Sequence, residues 1–214
     1  MSAQQGTWPV RHVHLRKGAV GTLRVNAASI LYEEKDKKGK PNVHSREWRY
    51  SEIQKLALGN TTLRILTYED QKWELGRDRE FVFDHLPPAM TAELYAVWRD
   101  KLDARFVAAR AEATVPSEWV LPAKLAVGRG GSQGTLTVGA GQVVYGTERE
   151  GESRTWRIRD IGNVSSSGPF DLTITTHEKD FRFQLKEALD EARYNALWRR
   201  INRMNGLQIL TTGN

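Results

Sequence analysis

The chain carries one residue pattern twice, at an interval of about 100 residues. The segment GTLRV at 21–25 recurs as GTLTV at 134–138, and REWRYSEI at 46–53 recurs as RTWRIRDI at 154–161. Farther on, the match runs without a gap and pairs Phe81 with Phe181, Phe83 with Phe183, Ala92 with Ala192, Ala96 with Ala196, Trp98 with Trp198 and Arg99 with Arg199. An interval of this length suits whole domains and exceeds any solenoid unit. We therefore expect two domains, at residues 6–114 and 115–207.

Each half is predicted to contain about seven short strands, because apolar residues alternate with polar ones or form short runs between turn residues. In the first half the strands are expected at 10–15, 22–25, 29–33, 47–50, 54–58, 63–68 and 81–86. In the second half they are expected at 118–126, 135–138, 142–146, 155–158, 161–165, 172–176 and 181–185. Pro122 indicates an edge strand or a bend, and 128–134 is expected to be a glycine-rich loop.

One helix is predicted at the end of each half. After Pro87-Pro88 the apolar residues fall at helical spacing, and good helix formers continue to Ala113, before Val115-Pro116 ends them. This pattern predicts a helix of about 25 residues, the second half of which connects the two domains. The second helix is predicted from Glu187 to about Met204.

The composition is that of an ordinary globular protein with mixed surface charge. The 214 residues carry a net charge of +6, from 19 basic and 15 acidic residues in 1–114 and 13 and 11 in 115–214. Because acidic residues are interspersed throughout, there is no basic stripe, and we do not expect nucleic acid as a partner. The absence of cysteine excludes disulfides and thiolate ligands. The apolar runs are too short for a transmembrane helix.

No cluster of residues in the sequence indicates catalysis. The segment 128–134 lacks the terminal Gly-Lys-Ser/Thr and the following helix of a phosphate loop, and no acidic pair is expected in a cleft. His12 and His14 share one face of the first predicted strand. Because zinc takes three or four protein ligands and no third one follows, we predict two surface imidazoles. We expect a protein that is not an enzyme and that uses no cofactor or metal.

About seven strands followed by one amphipathic helix, twice, resembles the pleckstrin-homology (PH) superfold in its GRAM-like and bacterial versions. The residues that carry the resemblance are Gly21-Thr22-Leu23, Leu31-Tyr32, Trp48-Arg49-Tyr50 with Ile53, Leu63-Arg64-Ile65, Phe81-Val82-Phe83 and Trp98, with their counterparts in the second half. The resemblance implies a β-rich α+β fold of two tandem, partly open β-sandwiches, each capped by its C-terminal helix. It also implies that Trp98 and Trp198 plug the open ends. The implied core aromatic residues are Trp48, Trp98, Trp156, Trp198, Phe81, Phe83, Phe181 and Phe183.

The same resemblance implies candidate anion-binding residues, since proteins of that family often bind anionic inositol headgroups at the loop joining the first two strands, assisted by the loop after the third. The candidates for binding an anion or a lipid are Arg16, Lys17, Arg24, Lys35, Lys37, Lys38 and Arg129. The sequence departs from the family pattern after Lys17, because the second strand offers Arg24 and then Asn26 where a second basic residue is usual.

Two functions remain open at this point. The first is a non-enzymatic interaction or scaffold module that binds a protein or peptide partner through an exposed strand edge or the groove beside a helix. The alternative is peripheral binding to anionic membrane lipid through the basic loops of the first domain. Trp73 lies in about nine extra residues within 69–79 and is a candidate interface residue, although the extra residues are also expected if one hairpin is simply longer.

The first residues of the chain allow two locations. The short polar start lacks the basic and apolar regions of an intact signal peptide, which predicts a cytoplasmic protein. The alternative is export to the periplasm, because Ser-Ala-Gln-Gln resembles the residues left at a bacterial signal-peptidase site.

Overall fold

The computed structural model describes residues 7–13, 18–34, 44–71, 74–113, 116–128 and 130–206. The chain divides into two compact units, Met1–Val107 and Ala108–Asn214, called unit 1 and unit 2 below. The division lies some seven residues before the boundary predicted between 114 and 115. Within the described ranges, no helix has the length and apolar character needed to cross a bilayer.

Unit 1 contains one antiparallel sheet and one helix. Its elements in chain order are β1 (Thr7–His12), β2 (Ala19–Val25), β3 (Ser29–Glu34), β4 (Arg46–Arg49), a 3₁₀ turn (Tyr50–Glu52), β5 (Ile53–Leu58), β6 (Leu63–Gln71), β7 (Glu74–Asp84), α1 (Pro88–Arg99) and β8 (Phe106–Ala108). The strands are ordered β4-β3-β2-β1-β7-β6-β5-β8. The last strand, β8, crosses the division between the units by one residue.

Unit 2 repeats this arrangement. Its elements are β9 (Ser117–Val127), β10 (Gly130–Gly139), β11 (Gln142–Gly146), β12 (Arg154–Arg157), a 3₁₀ turn (Ile158–Asp160), β13 (Ile161–Ser165), β14 (Asp171–Thr176), β15 (Asp180–Leu185) and α2 (Glu191–Met204). The order β12-β11-β10-β9-β15-β14-β13 matches that of the first seven strands of unit 1. Over the described residues the chain is therefore β-rich, with two sheets dominated by antiparallel pairs and two α-helices.

Each sheet folds back on itself around its own core. In unit 1, β4 and β7 are four places apart in the strand order, yet the rings of Trp48 and Phe81 are 4.8 Å apart, centroid to centroid. In unit 2 the rings of Trp156 and Phe181 are 4.7 Å apart. Strands four places apart in a flat sheet would be separated by roughly 19 Å. The inward faces of the two ends of each sheet consequently enclose the core.

The repeated glycine and tyrosine of the sequence pattern have a packing role in both units. A Cβ on Gly21 would lie 2.5 Å from the Tyr32 ring, and one on Gly134 would lie 2.9 Å from the ring of Tyr145. Both tyrosines are fully buried, and the Tyr32 hydroxyl donates to the carbonyl of Ala19 at 3.0 Å. Burial raises the pKa of the Tyr32 phenol to about 12. Glycine is required because the ring lies directly on the neighbouring strand.

The predicted long connecting helix is wrong. Helix α1 ends at Arg99, and the chain turns, with the backbone N–H of Leu102 donating to the carbonyl of Trp98 at 2.9 Å. Phe106 then packs against the Trp98 ring at 5.9 Å, and the N–H of Leu56 donates to the carbonyl of Arg105 at 2.9 Å. Tertiary packing here outweighs the helix propensity of residues 100–113.

The second helix begins four residues later than predicted, at Glu191, because the carboxylate of Asp190 caps it by accepting from the backbone N–H of Arg193 at 2.8 Å. Leu197 and Ile201 are buried in the core of unit 2, whereas Trp198 is only partly buried against it. Trp198 therefore does not close the end of its sheet as a fully buried side chain, which was the expectation. Helices α1 and α2 thus pack differently on their sheets.

The face of the first strand that lies against the core is the opposite of the one expected. Val13 is exposed, whereas Val10 and His12 are buried. The ring of His12 stacks on that of Phe83 at 5.0 Å, so the prediction of a surface imidazole is wrong for this residue; His14 lies outside the described residues. Strand β1 ends at His12. In the sequence, polar and apolar residues continue to alternate to Leu15, and this alternation predicted that Val13 faces the core.

Two expectations for unit 2 are also corrected. Pro122 lies in β9, which is a central strand between β10 and β15 rather than an edge. Its missing N–H is tolerated because the pairing of β9 with β15 runs only from Ala123 to Leu125. The expected glycine-rich loop is mostly strand, since β10 begins at Gly130 and pairs with Val127 of β9. Gly131 allows this, because its Cβ position lies 2.3 Å from the carbonyl oxygen of Leu125.

An ion pair between β1 and β7 is expected to make unit 1 sensitive to acid. Arg11 Nε donates to Asp84 Oδ1 at 2.7 Å, and the hydrogen bond from Arg11 lowers the pKa of Asp84 to about 2. A lowered pKa in the folded state stabilises the protein above the ordinary value near 4, and this stability is lost as the pH falls from about 4 to about 2. Unfolding titrations should show that Asp84→Asn loses less free energy of unfolding than the parent chain as the pH falls from about 4 to about 2. The exposed Asp100→Asn is the control, and equal acid dependence in both variants would contradict the prediction.

Candidate functional site

Unit 1 has an open cleft beside its edge strand β4. The cavity has a volume of about 590 Å³, which is within the range of small ligand and peptide pockets. We call it the β4 cleft, and it is lined by Arg46, Glu47, Trp48, Ser51, Glu52, Thr67, Tyr68 and Glu69. These residues come from β4, the 3₁₀ turn after it and the far end of β6.

Strand β4 has one backbone edge that faces away from the sheet. The N–H of Tyr50 donates to the carbonyl of Ala28 on the β3 side at 3.1 Å. Because successive residues of a strand point their N–H groups to opposite sides, those of Glu47 and Arg49 point away from β3. Strand β4 is the first in the sheet order, and the Arg49 N–H is accepted by Glu52 Oε2 at 3.0 Å. The N–H and carbonyl of Glu47 are thus positioned to pair with an added strand.

The opposite wall of the cleft is the extended end of β6. Pairing of β5 with β6 stops at Ile53 and Thr67, while β6 continues to Gln71 and pairs there with Glu74 of β7. The Tyr68 side chain on this extension is 59% exposed. The extra residues of the first half therefore form a longer hairpin, and they supply one wall of the cleft.

Stacked and paired charges hold the two walls together. Arg46 forms an ion pair with Glu69, and Arg79 Nη1 contacts Glu69 Oε1 at 3.1 Å. The guanidinium carbons of both arginines lie over the Phe81 ring, at 5.1 Å and 4.8 Å from its centroid. The hydrogen bond from Arg46 is the main cause of the lowered pKa of Glu69. Glu69 is consequently ionised and neutralised by two cations.

The indole of Trp48 carries an unsatisfied donor. Trp48 is 3% exposed, lines the cleft, and its Nε1–H has no acceptor in the structure that is described. A buried N–H without an acceptor costs about 1–3 kcal/mol, and a bound water is a common partner of such groups in native proteins.

The corresponding place in unit 2 is built differently. The hairpin of β14 and β15 turns tightly, with the N–H of Thr176 donating to the carbonyl of Lys179 at 3.2 Å. Arg154 Nη2 pairs with Glu178 Oε1 at 2.9 Å, and both side chains are largely buried. The pairing of arginine and glutamate is shared with unit 1, but the extended β6 wall is not.

The chain itself lies against β12 of unit 2. Thr155 Oγ1 donates to the carbonyl of Arg110 at 2.9 Å and accepts from the backbone N–H of Glu112 at 3.0 Å. Gln142 Nε2 donates to Glu112 Oε2 at 2.6 Å. Val144, which lies outside the core cluster of unit 2, is nevertheless buried. This face of unit 2 therefore packs against a neighbouring segment of the chain itself.

Most of the predicted binding residues cannot be placed. Arg16, Lys17, Lys35, Lys37, Lys38, Arg129 and Trp73 lie outside the described residues. Arg24 is described, and it is engaged in an ion pair with Glu33 at 3.3 Å. Within the described ranges, no three His, Asp or Glu side chains form a group that could hold a metal ion.

The sequence did not point to Glu47, Glu52 or Tyr68. The available signal was the extra length of the hairpin after Tyr68, which was considered only for Trp73. The 3₁₀ turn and the edge position of β4 depend on the three-dimensional arrangement, so the sequence pattern alone does not bring these residues together.

Comparisons with known proteins give no family. No family model and no curated protein matches the chain. It is similar to the structure of "the C-terminal domain of an unknown protein from Leishmania infantum", with 16% identity, a TM-score of 0.32, and coverage of 40% of this chain and 83% of that chain. It is also similar to "the Spt16D Pob3N heterodimer", with 10% identity, a TM-score of 0.36, and coverage of 86% and 97%. At these TM-scores neither likeness carries an argument about this chain.

Proposed function

We propose that the chain is a non-enzymatic interaction module of two tandem PH-like units, and that unit 1 binds an extended segment of a protein partner in the β4 cleft. The observation that carries this proposal is the backbone edge of Glu47, which has no partner among the described residues and lies beside a cavity of about 590 Å³. Added strands gain affinity from main-chain hydrogen bonds and specificity from pockets for alternate side chains. The β4 cleft offers both.

The PH-like part of the proposal is supported by the order of elements. In each unit a run of seven antiparallel strands precedes a single helix, and the strand order is the same in both. Together with the repeated residues, this agrees with an internal duplication. The two copies would then have diverged mainly at the hairpin that forms the cleft wall in unit 1.

Binding of a peptide through its backbone requires the N–H of Glu47, which gives a sharp test. The full chain is used to select binders from a phage-displayed library of random dodecapeptides. We expect Glu47→Pro to abolish binding of the selected peptides, because proline lacks the N–H. The substitution is compatible with the fold, since proline is tolerated on an edge strand where the missing N–H faces outward. Glu47→Ala removes the same carboxylate but keeps the N–H, so binding that survives in Glu47→Ala and is lost in Glu47→Pro depends on the N–H alone.

A second pair of variants tests the side-chain pocket. Tyr68→Ala should weaken binding about tenfold or more, since exposed aromatic anchors dominate such interfaces. Phe170→Ala removes a similarly exposed aromatic ring from unit 2 and should leave binding unchanged. Selected peptides that bind Glu47→Pro and Tyr68→Ala as well as the parent would rule out the β4 cleft as the site. Binding to anionic vesicles without any peptide binder would favour the lipid alternative.

A further inference from the structure

We propose that the segment bound in the β4 cleft is basic, with a Lys or Arg side chain placed against Glu47 and Glu52. This inference rests on the function proposed above and adds the chemistry of the partner. The charges on the cleft and the outward backbone edge of β4 together carry it.

The cleft has an excess of negative charge. Its lining contains one arginine and three glutamates, a net formal charge of −2. Arg46 and Arg79 both contact Glu69, so the inner wall carries its own compensation. Among the described residues no cation forms an ion pair with Glu47 or Glu52, so within that part of the chain the negative charge of the lining lies on these two carboxylates.

Both carboxylates are held in place, and each has one oxygen with no partner in the part of the chain that the structure describes. Glu47 Oε1 accepts from the hydroxyl of Ser29 at 2.6 Å, and Ser29 is buried. Glu52 Oε2 accepts from the backbone N–H of Arg49 at 3.0 Å. A carboxylate can accept further hydrogen bonds at its other oxygen. Ordering the side chain beforehand reduces the entropy lost when a cation binds.

The backbone edge of Glu47 is independent of the charge and indicates the other half of the ligand. Its N–H needs an acceptor, and every residue of an extended peptide supplies a carbonyl. Strand pairing at Glu47 is a requirement that a peptide can meet together with a basic side chain. A phosphate group or an acidic peptide would be repelled by Glu47 and Glu52.

The experiment uses peptides selected on the full chain that bind Glu47→Ala but lose binding to Glu47→Pro. We expect Lys or Arg to be enriched in them. In the tightest binder each basic residue is replaced in turn by Gln, and affinities are measured on the parent chain and on Glu47→Gln/Glu52→Gln. The critical Lys→Gln or Arg→Gln change should weaken binding to the parent about tenfold, and should have less than about a twofold effect on the double variant. Raising the salt concentration should weaken the binding of the basic peptide to the parent chain only, and not the other three combinations of peptide and chain.

The outcomes separate the two proposals. If selected peptides depend on the Glu47 N–H but show no enrichment in Lys or Arg, the basic partner is overturned and the peptide-binding function stands. An equal effect of the Gln change on the parent and the double variant overturns it as well. If no peptide depends on the Glu47 N–H, both proposals are overturned.

Discussion

Replacing Trp98 with alanine is expected to lower the free energy of unfolding of unit 1 by about 3–5 kcal/mol. The side chain is completely buried, its Nε1 donates to the hydroxyl of Tyr50 at 3.2 Å, and its ring contacts that of Phe106. The substitution leaves a cavity between α1 and the sheet and removes the contact that fixes the turn into β8. A loss of this size is comparable with the whole stability of a small domain.

The matched control is Trp198→Ala, the equivalent change in the repeated pattern. Because Trp198 is only partly buried, its loss should cost unit 2 about 1–2 kcal/mol. Native-state hydrogen exchange resolves the two units, with amides of β2 and β7 reporting on unit 1 and those of β10 and β15 on unit 2. Equal losses in the two variants would contradict the different packing of the two helices.

Replacing Gly134 with alanine is expected to destabilise unit 2 by about 1–3 kcal/mol. The added Cβ would lie 2.2 Å from the carbonyl oxygen of Gly146 and 2.9 Å from the ring of Tyr145. The carbonyl cannot retreat without disturbing the pairing of β10 with β11, where Thr135 is opposite Gly146. Movement of the tyrosine would break its hydrogen bond to the carbonyl of Ser132, which measures 2.6 Å.

Gly141→Ala is the control for this prediction, because no atom lies within 4 Å of its Cβ position. Hydrogen exchange of the β10 and β11 amides should show the loss for Gly134→Ala, whereas the control should change stability by less than about 0.5 kcal/mol. If the two variants unfold alike, close packing of the ring on Gly134 is not the reason for the repeated glycine.

The strands were largely predictable because each depends on local alternation. Strand β13 was predicted at its observed bounds, and β5, β14 and β15 within one residue. Residues 100–113 show why the same approach fails elsewhere. Their helix formers are overridden by the packing of Phe106 on Trp98 and by the hydrogen bond between Leu56 and Arg105. The second of these contacts joins residues that are distant in sequence.

The candidate site was less predictable than the fold. The basic residues suggested by the family pattern include only one that is described, Arg24, and it is paired with Glu33. The β4 cleft arises where an edge strand meets an overlong hairpin, and neither feature has a residue motif of its own. Only the hairpin length was visible in the sequence, because it appears as a difference between the two repeats.

Hydrogen exchange at the backbone amide of Glu47, measured by NMR with and without a selected peptide, tests strand addition at β4 most directly. We expect this amide to exchange quickly in the free chain and to become protected when the peptide binds, while the amide of Trp48, which already points toward β3, changes little. An unchanged Glu47 amide in a chain saturated with peptide, with new protection elsewhere in unit 1, would contradict strand addition at β4.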